Sequence, residues 1–132
     1  MKTTLIFLMA CSALLIAACS KNPGIGGDAS IKGSVHVEHW NTTFTQFISE
    51  YPGADIYVYL VFGDDVSYGK RIKTNPDGDY EFKYLYKGDY TVYVYSLDST
   101  FTVPGGSVAI EKKVNITDRK ETAVVDTFNI FQ

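Results

Sequence analysis

Hydrophobic and polar residues alternate over short stretches of this chain, and that pattern predicts β-strands. The alternation is cleanest over residues 90–97, while residues 54–62 are apolar on both faces. Turn-forming residues separate the stretches, as at residues 75–78, where proline presets its backbone angle and glycine accepts a positive one. Short strands at this spacing predict an all-β fold, an antiparallel Greek-key β-sandwich of about seven strands. The predicted strands are residues 31–38, 54–62, 68–74, 79–84, 90–97, 107–115 and 121–130.

One segment departs from this alternation. Its apolar residues Phe44, Phe47, Ile48 and Tyr51 recur at i, i+3, i+4 and i+7, which is the spacing of one helix face. An isolated helix of about two turns is marginal in water, so an irregular loop is the alternative. We therefore expect a short helix or a loop to be inserted at residues 40–51.

The N-terminus has the layout of a secretory signal that ends at a cysteine. Lys2 supplies a positive start, residues 5–16 are apolar, and Ala17 and Ala18 precede Cys19. The apolar run is shorter than the ~20 residues that a membrane-spanning helix needs. This stretch resembles the lipobox of bacterial lipoproteins, in which the cysteine becomes the lipid-modified first residue of the mature protein.

The lipobox resemblance implies a domain organisation and a location. Residues 1–18 would be a signal peptide, residues 19–30 a flexible tether rich in small and polar residues, and residues 31–132 one β-sandwich domain. Cys19 would carry a diacylglyceryl group and an amide-linked acyl chain, and stable anchoring requires more than one chain. The membrane is thus the first expected partner. The expected location is the bacterial cell envelope, in particular the outer membrane.

Composition narrows the chemistry further. The net charge is −3 with acidic and basic residues interspersed, so no basic stripe exists that would follow nucleic-acid phosphates. After removal of residues 1–18, Cys19 is the one cysteine left and the lipid uses its sulfur, so no intramolecular disulfide is expected. No serine stands in a nucleophile elbow, and no histidine–carboxylate–nucleophile set is visible. We therefore expect neither a cofactor nor an enzyme.

Five short motifs in residues 31–97 agree in order and spacing with a known family. They are Gly33-Ser34-Val35, Pro52-Gly53-Ala54, Ile56-Tyr57-Val58, residues 74–82 and residues 88–92. This part of the chain resembles the carboxypeptidase regulatory-like domains, which are transthyretin-like, or prealbumin-like, β-sandwiches. The resemblance implies a non-catalytic accessory module that binds a partner, supports folding or acts as a spacer in a surface protein. A likeness of fold names no ligand by itself.

Four tyrosines are the candidate ligand-binding residues. Strand alternation turns Tyr57, Tyr59, Tyr93 and Tyr95 away from the core, and in transthyretin-like folds their two strands are neighbours in one sheet. An exposed aromatic patch of this size marks a ligand or partner site, and tyrosine platforms suit sugar rings as well as protein interfaces. The alternative is that residues 40–51 fold over this face and bury the tyrosines in a second small core.

No metal site is predicted. His36 and Glu38 share one face of a strand, but His39 points to the other face, so the three side chains do not converge. Turn chemistry explains the aspartates at residues 64–65 and Asp89, for which a calcium cluster is the alternative.

These observations lead to one expected function and two alternatives. We expect a non-catalytic, membrane-anchored lipoprotein with a binding or structural role in the cell envelope. The first alternative is a carbohydrate-binding module that uses the outward tyrosines, with a glycan as its partner. The second alternative is a subunit or anchor of a surface fibre, held by strand exchange. An envelope protein is the other possible partner besides a glycan. The most informative structural observation is whether residues 40–51 cover the outward tyrosines.

Overall fold

The computed structural model describes residues 22–103 and 106–132. The described chain contains nine strands and no helix, and its two sheets share one hydrophobic core. The predicted all-β sandwich is confirmed. The strands are β1 (Ile25–Trp40), β2 (Phe47–Pro52), β3 (Tyr57–Phe62), β4 (Lys70–Lys73), β5 (Asp79–Leu85), β6 (Gly88–Leu97), β7 (Ser107–Ile116), β8 (Thr122–Val124) and β9 (Phe128–Phe131).

The first sheet is built around β1, which is long enough to pair with four strands. Its first half lies between β5 and β8, and its second half lies between β2 and β9. β2 and β5 run antiparallel to β1, but β8 and β9 run parallel to it, which differs from the purely antiparallel sandwich predicted. The position of the last residue of β7 explains the parallel pairing. β7 ends at the end of the sandwich where β1 begins, so the chain that follows β7 runs in the same direction as β1 when it forms β8 and β9.

The second sheet has the order β4-β3-β6-β7 and is antiparallel throughout. Tyr59 of β3 lies opposite Arg71 of β4 on one side and opposite Tyr93 of β6 on the other, and Tyr93 lies opposite Glu111 of β7. One row of residues therefore crosses all four strands. Because side chains opposite each other in an antiparallel pair point to the same face, the whole row lies on one face of the sheet.

The inner faces of the two sheets form a single core. Strand alternation places Val58 and Leu60 of β3, and Val92 and Val94 of β6, inside with no exposed surface. The largest fully buried side chains are Tyr90, Phe82, Phe128, Ile31, Leu60, Leu85, Ile116, Ile130, Val37, Val58, Val92 and Val94. Burial of a large apolar side chain contributes roughly 1.5–3 kcal/mol, so this core is the main stabilising element of the fold.

The helix that the sequence favoured at residues 40–51 is wrong, because this segment completes a β-hairpin. After a loop at residues 41–46, the chain forms β2, which pairs antiparallel with the second half of β1. Asn41 closes the loop, since its side-chain oxygen accepts hydrogen bonds from the backbone N–H groups of the two residues before β2. The open edge of β1 offers backbone hydrogen bonds to an extended strand, and these outweigh the weak tendency of a two-turn segment to form a helix.

The described residues form nine strands rather than the seven or so expected, for two reasons. β2 takes the place of the inserted helix. The last predicted strand, residues 121–130, is divided into β8 and β9 by a break at residues 125–127. Within that break the N–H of Val125 still donates to the carbonyl oxygen of Lys32 in β1, so the broken strand stays attached to the sheet.

The predicted boundary between tether and domain is also corrected. β1 begins at Ile25, so the second half of the predicted tether, residues 19–30, belongs to the sandwich. Gly27 passes so close to β5 that an added β-carbon would lie 2.1 Å from the backbone oxygen of Leu85. The glycines that indicated flexibility in the sequence instead allow two backbones to approach closely.

The membrane-related predictions concern residues that the structure does not describe. The signal peptide at residues 1–18 and the lipidation site Cys19 lie outside the described ranges, so both stay predictions. Between Asn22 and the C-terminus, apart from residues 104 and 105, no helix is long and apolar enough to span a bilayer.

Candidate functional site

The outer face of the second sheet carries the four tyrosines that the sequence singled out. β3 contributes Tyr57 and Tyr59, and β6 contributes Tyr93 and Tyr95. Their neighbours along each strand are buried, so the tyrosines point away from the core. Tyr57 and Tyr95 are exposed, and Tyr59 and Tyr93 are half-buried between them. We call these four residues and Tyr68, which joins them, the tyrosine face.

The two central rings of the tyrosine face are stacked. The ring centroids of Tyr59 and Tyr93 are 4.7 Å apart, and the ring planes differ by 4°. Rings lying flat on the sheet side by side could not approach so closely, so the two rings stand upright and face each other across the strand spacing. Tyr95 stands almost perpendicular to both, at 5.6 Å from Tyr59 and 5.7 Å from Tyr93. The central pair is thus packed on both sides by rings of the same face.

Tyr68 is a candidate residue that sequence reasoning missed. It precedes β4, and its ring lies 5.0 Å from that of Tyr59 at an angle of 66°. The sequence pattern placed Tyr68 at the start of a predicted strand, residues 68–74. The pattern did not indicate on which face of the sheet its side chain would lie. Gly69 allows the loop to return over the sheet, because an added β-carbon there would lie 2.2 Å from the ring of Phe62. A glycine directly before a strand was the available signal for this close approach.

Two cationic side chains border the tyrosine face along β4. The Cζ atom of Arg71 lies 4.3 Å from the ring centroid of Tyr57, and the Nζ atom of Lys73 lies 5.0 Å from it. Both side chains belong to exposed residues. Charges on an edge strand discourage pairing with a second molecule, which gives β4 a structural reason to be basic. The cation–π contacts also orient the two side chains, because they hold both positive charges over the ring of Tyr57 in the tyrosine face.

The tyrosine face offers hydrogen-bonding groups together with aromatic carbon. Each phenol hydroxyl both donates and accepts a hydrogen bond. Burial raises the pKa of Tyr93 above its ordinary value, and the neighbouring Tyr95 raises it further, so this hydroxyl stays protonated at neutral pH. Exposed ring surface is available at the margins, on Tyr57, Tyr68 and Tyr95. This combination suits a ligand that carries many hydroxyl groups on a partly apolar ring.

The inserted segment leaves the tyrosine face open, so the alternative in which it covers that face is wrong. β2 belongs to the other sheet. Trp40 packs against Phe47, and Phe44 packs against Phe101 and Phe131, with ring centroids 5.6 Å apart in each pair. In the described part of the chain, none of these rings contacts a ring of the tyrosine face. The tyrosines are therefore accessible to a ligand from solvent.

The other candidate groups form separate, local interactions. His36 and Glu38 share a face of β1, but the Nε2 atom of His36 pairs at 3.2 Å with Glu50 of β2. This partner was not foreseen, because a helix or a loop was predicted where β2 lies. The carboxylate of Asp89 accepts a 2.6 Å hydrogen bond from the amide of Asn115. Among the described residues, no three His, Cys, Asp or Glu side chains are grouped so that they could hold a metal ion.

The chain has distant structural neighbours and no matching sequence family. No protein-family model and no curated protein matches it. It resembles a protein from Pseudomonas aeruginosa for which carbohydrate binding has been proposed, with 13% identity and a TM-score of 0.47 over 88% of this chain and 94% of that one. It also resembles (S)-allantoin synthase, with 10% identity and a TM-score of 0.39 over 82% of this chain and 44% of that one. Likenesses this distant assign no function, so the functional argument depends on the tyrosine face alone.

Proposed function

We propose that this protein binds glycans through the tyrosine face, and that it acts by binding rather than by catalysis. The observation that carries the proposal is that five tyrosines form one connected array of rings on an open sheet surface. Soluble monomers seldom expose a contiguous aromatic patch unless it contacts a ligand or partner. The inserted segment had been the one part of the chain expected to bury this patch, and it lies elsewhere.

The chemistry of the rings favours a glycan over a purely apolar ligand. Every residue of the tyrosine face carries a phenol hydroxyl that can donate and accept a hydrogen bond, as the hydroxyl groups of a sugar do. Tyr95 and Tyr57 add ring surface beside them, where the C–H face of a sugar can pack. Tyrosine also loses little conformational entropy on binding, and the ring contacts already restrict these side chains before a ligand arrives.

We further propose that the protein is a lipoprotein of the bacterial outer membrane, anchored through Cys19. The described chain begins at Asn22, three residues after Cys19. The N–H of Gly24 donates to the hydroxyl of Tyr90, so the anchored end of the domain adjoins the first residues of β6. Tyr93 lies only about 10 Å further along β6, at about 3.3 Å per residue. A lipid on Cys19 would therefore hold the tyrosine face close to the membrane surface.

Glycan binding is tested with the full-length chain, purified in detergent, on a panel of neutral and acidic polysaccharides. We expect Tyr95→Ala to weaken binding about tenfold, because Tyr95 is the most exposed residue of the tyrosine face and truncation of an aromatic anchor can cost more than ~1 kcal/mol. The matched control is Tyr51→Ala, which removes a similarly exposed tyrosine from β2 in the other sheet and should leave binding unchanged. Absence of binding to every polysaccharide, or an equal loss in both variants, would contradict the proposal.

Anchoring is tested separately, by labelling cells with an alkyne analogue of palmitate. We expect the full-length chain to be labelled and to sediment with membranes, and Cys19→Ser to lose both properties. Cys11→Ser is the control, because it removes the other cysteine of the chain and should leave the label in place. Labelling that survives Cys19→Ser would show that another residue carries the lipid, or that the label enters by a different route.

A further inference from the structure

Arg71 and Lys73 are cations without an ionic partner at one border of the tyrosine face. No carboxylate of the described residues lies within 4.0 Å of either side chain, whereas Arg119 at the end of the sandwich pairs with Asp28 at 3.1 Å. Edge protection requires only that β4 be charged. It does not require that both charges lie over one ring, as they do over Tyr57. The arrangement therefore calls for a second explanation.

Charge is distributed unequally across the tyrosine face. The row that crosses the sheet begins with Arg71 on β4, continues through Tyr59 and Tyr93, and ends with Glu111 on β7. Neighbouring strands are about 4.8 Å apart, so the backbone positions of Arg71 and Glu111 are about 14 Å apart. Glu111 is followed on the same face of β7 by Lys113, which lies opposite Thr91, so β7 carries charges of both signs whereas β4 carries only cations. A negative group of a ligand is therefore attracted most strongly to the β4 side of the face.

We infer that the glycan bound by the tyrosine face is acidic, and that Arg71, assisted by Lys73, binds a carboxylate group of one of its sugars. This inference rests on the proposed glycan binding and adds the chemical class of the ligand. A guanidinium group has five N–H donors in a planar fork, which matches the two oxygens of a carboxylate. The ring of Tyr57 supports one side of the guanidinium, so that its N–H edges remain free for the ligand.

The net charge of the protein cannot attract an acidic glycan, so the attraction has to come from individual cations of the tyrosine face. The chain carries a net charge of −3, so at long range it repels a polyanion. Binding of an acidic glycan therefore has to depend on particular cations at the site. Loss of Arg71 should abolish the preference for acidic over neutral glycans, while loss of a cation elsewhere should not.

The experiment compares uronic-acid polymers with their carboxyl-reduced forms, which keep the same backbone without the charge. Polygalacturonate, alginate and hyaluronate serve as the acidic probes for the full-length chain in detergent. We expect at least one acidic polymer to bind about tenfold more tightly than its reduced form, and Arg71→Gln to remove that difference. Lys73→Gln should remove part of it. Lys120→Gln, an equal change of charge at an exposed loop residue, should leave both affinities unchanged.

The outcomes separate this inference from the proposal on which it rests. Equal binding of the acidic and reduced polymers, or an equal loss of both in Arg71→Gln, overturns the carboxylate assignment and leaves glycan binding in place. Tighter binding of dextran sulfate than of any uronic-acid polymer also overturns it, in favour of sulfate recognition. If Tyr95→Ala has no effect on any polymer, or if no polymer binds, the proposed function itself is overturned.

Discussion

Tyr59 and Tyr93 face each other across β3 and β6, with ring centroids 4.7 Å apart and ring planes 4° from parallel. The pair occupies the middle of the row that begins at Arg71 and ends at Glu111. Its two rings fill the space between the strands and hold each other upright. The same contact therefore helps to stabilise the sheet and restricts both side chains at the centre of the tyrosine face.

The stacked pair should be energetically coupled. Aromatic pairs contribute about 0.5–1.5 kcal/mol beyond the area they bury, so we expect a coupling free energy of about 1 kcal/mol between Tyr59→Leu and Tyr93→Leu. Urea unfolding of the wild type, the two single variants and the double variant measures it. Tyr93→Leu with Tyr51→Leu forms the control cycle. Tyr51 lies on β2 in the other sheet and shares no ring contact with Tyr93 among the described residues, so their coupling should be near zero. Equal coupling in the two cycles would contradict the prediction.

Removal of either of two buried tyrosine hydroxyls should change the free energy of unfolding, in opposite directions for the two. The hydroxyl of Tyr80 has no hydrogen-bond partner among the described residues, and burial raises its pKa far above the ordinary value. The hydroxyl of Tyr90 donates to the carbonyl oxygen of Tyr86 at 2.7 Å and accepts from the N–H of Gly24 at 2.9 Å. We expect Tyr80→Phe to raise the free energy of unfolding by about 1 kcal/mol and Tyr90→Phe to lower it by about 1–3 kcal/mol. Urea unfolding at neutral pH measures both, and a loss of stability in Tyr80→Phe would count against the unpartnered hydroxyl.

The loop between β6 and β7 is organised by one carboxylate. Asp98 is buried and accepts hydrogen bonds from the backbone N–H groups of Thr100, Thr102 and Val103, and from the hydroxyls of the two threonines. These bonds, led by the one from the hydroxyl of Thr100, hold the pKa of Asp98 well below its ordinary value of 3.8. The ionised form is therefore the one that the folded loop favours.

Acid should destabilise the protein through this carboxylate. Because its folded-state pKa is lowered, Asp98 stabilises the fold fully above its unfolded pKa, and this contribution is lost as the pH falls through and below that value. We expect the Tm of the wild type to fall between about pH 5 and pH 2 more steeply than that of Asp98→Asn. Asp126→Asn changes an exposed carboxylate between β8 and β9, and it should follow the wild-type curve. Parallel curves for wild type and Asp98→Asn would exclude this source of acid sensitivity.

Gly27 should not tolerate a side chain, even though the sequence around it looks like a linker. A β-carbon there would meet the backbone oxygen of Leu85 at 2.1 Å, and backbone atoms of β5 cannot move aside cheaply. We expect Gly27→Ala to lower the free energy of unfolding by about 3 kcal/mol. Gly106→Ala is the control, because it has open space and only a positive φ of 71° to oppose it, at a cost of about 1–2 kcal/mol. Urea unfolding measures both, and equal losses of stability in the two variants would contradict the close approach of Gly27 to β5.

The tyrosine face shows how far local pattern reaches. Alternation alone placed Tyr57 and Tyr59 on one side of β3 and Tyr93 and Tyr95 on one side of β6, because a strand with a buried face leaves its other residues no choice of side. Tyr68 lay beyond this reasoning, since it precedes β4 and only the path of a loop brings its ring against Tyr59.

By itself the sequence determined the all-β class, the inward and outward faces of the main strands, and the resemblance of the N-terminus to a lipobox, because each depends on residues close together in the chain. Only the tertiary structure decided that β2 pairs with β1, that β8 and β9 run parallel to it, and that residues 40–51 leave the tyrosine face open. It also decided that Tyr59 and Tyr93 stand upright against each other. These features depend on pairing between distant strands. The free energy of this pairing comes from long-range packing and backbone hydrogen bonds, which cannot be inferred from local periodicity.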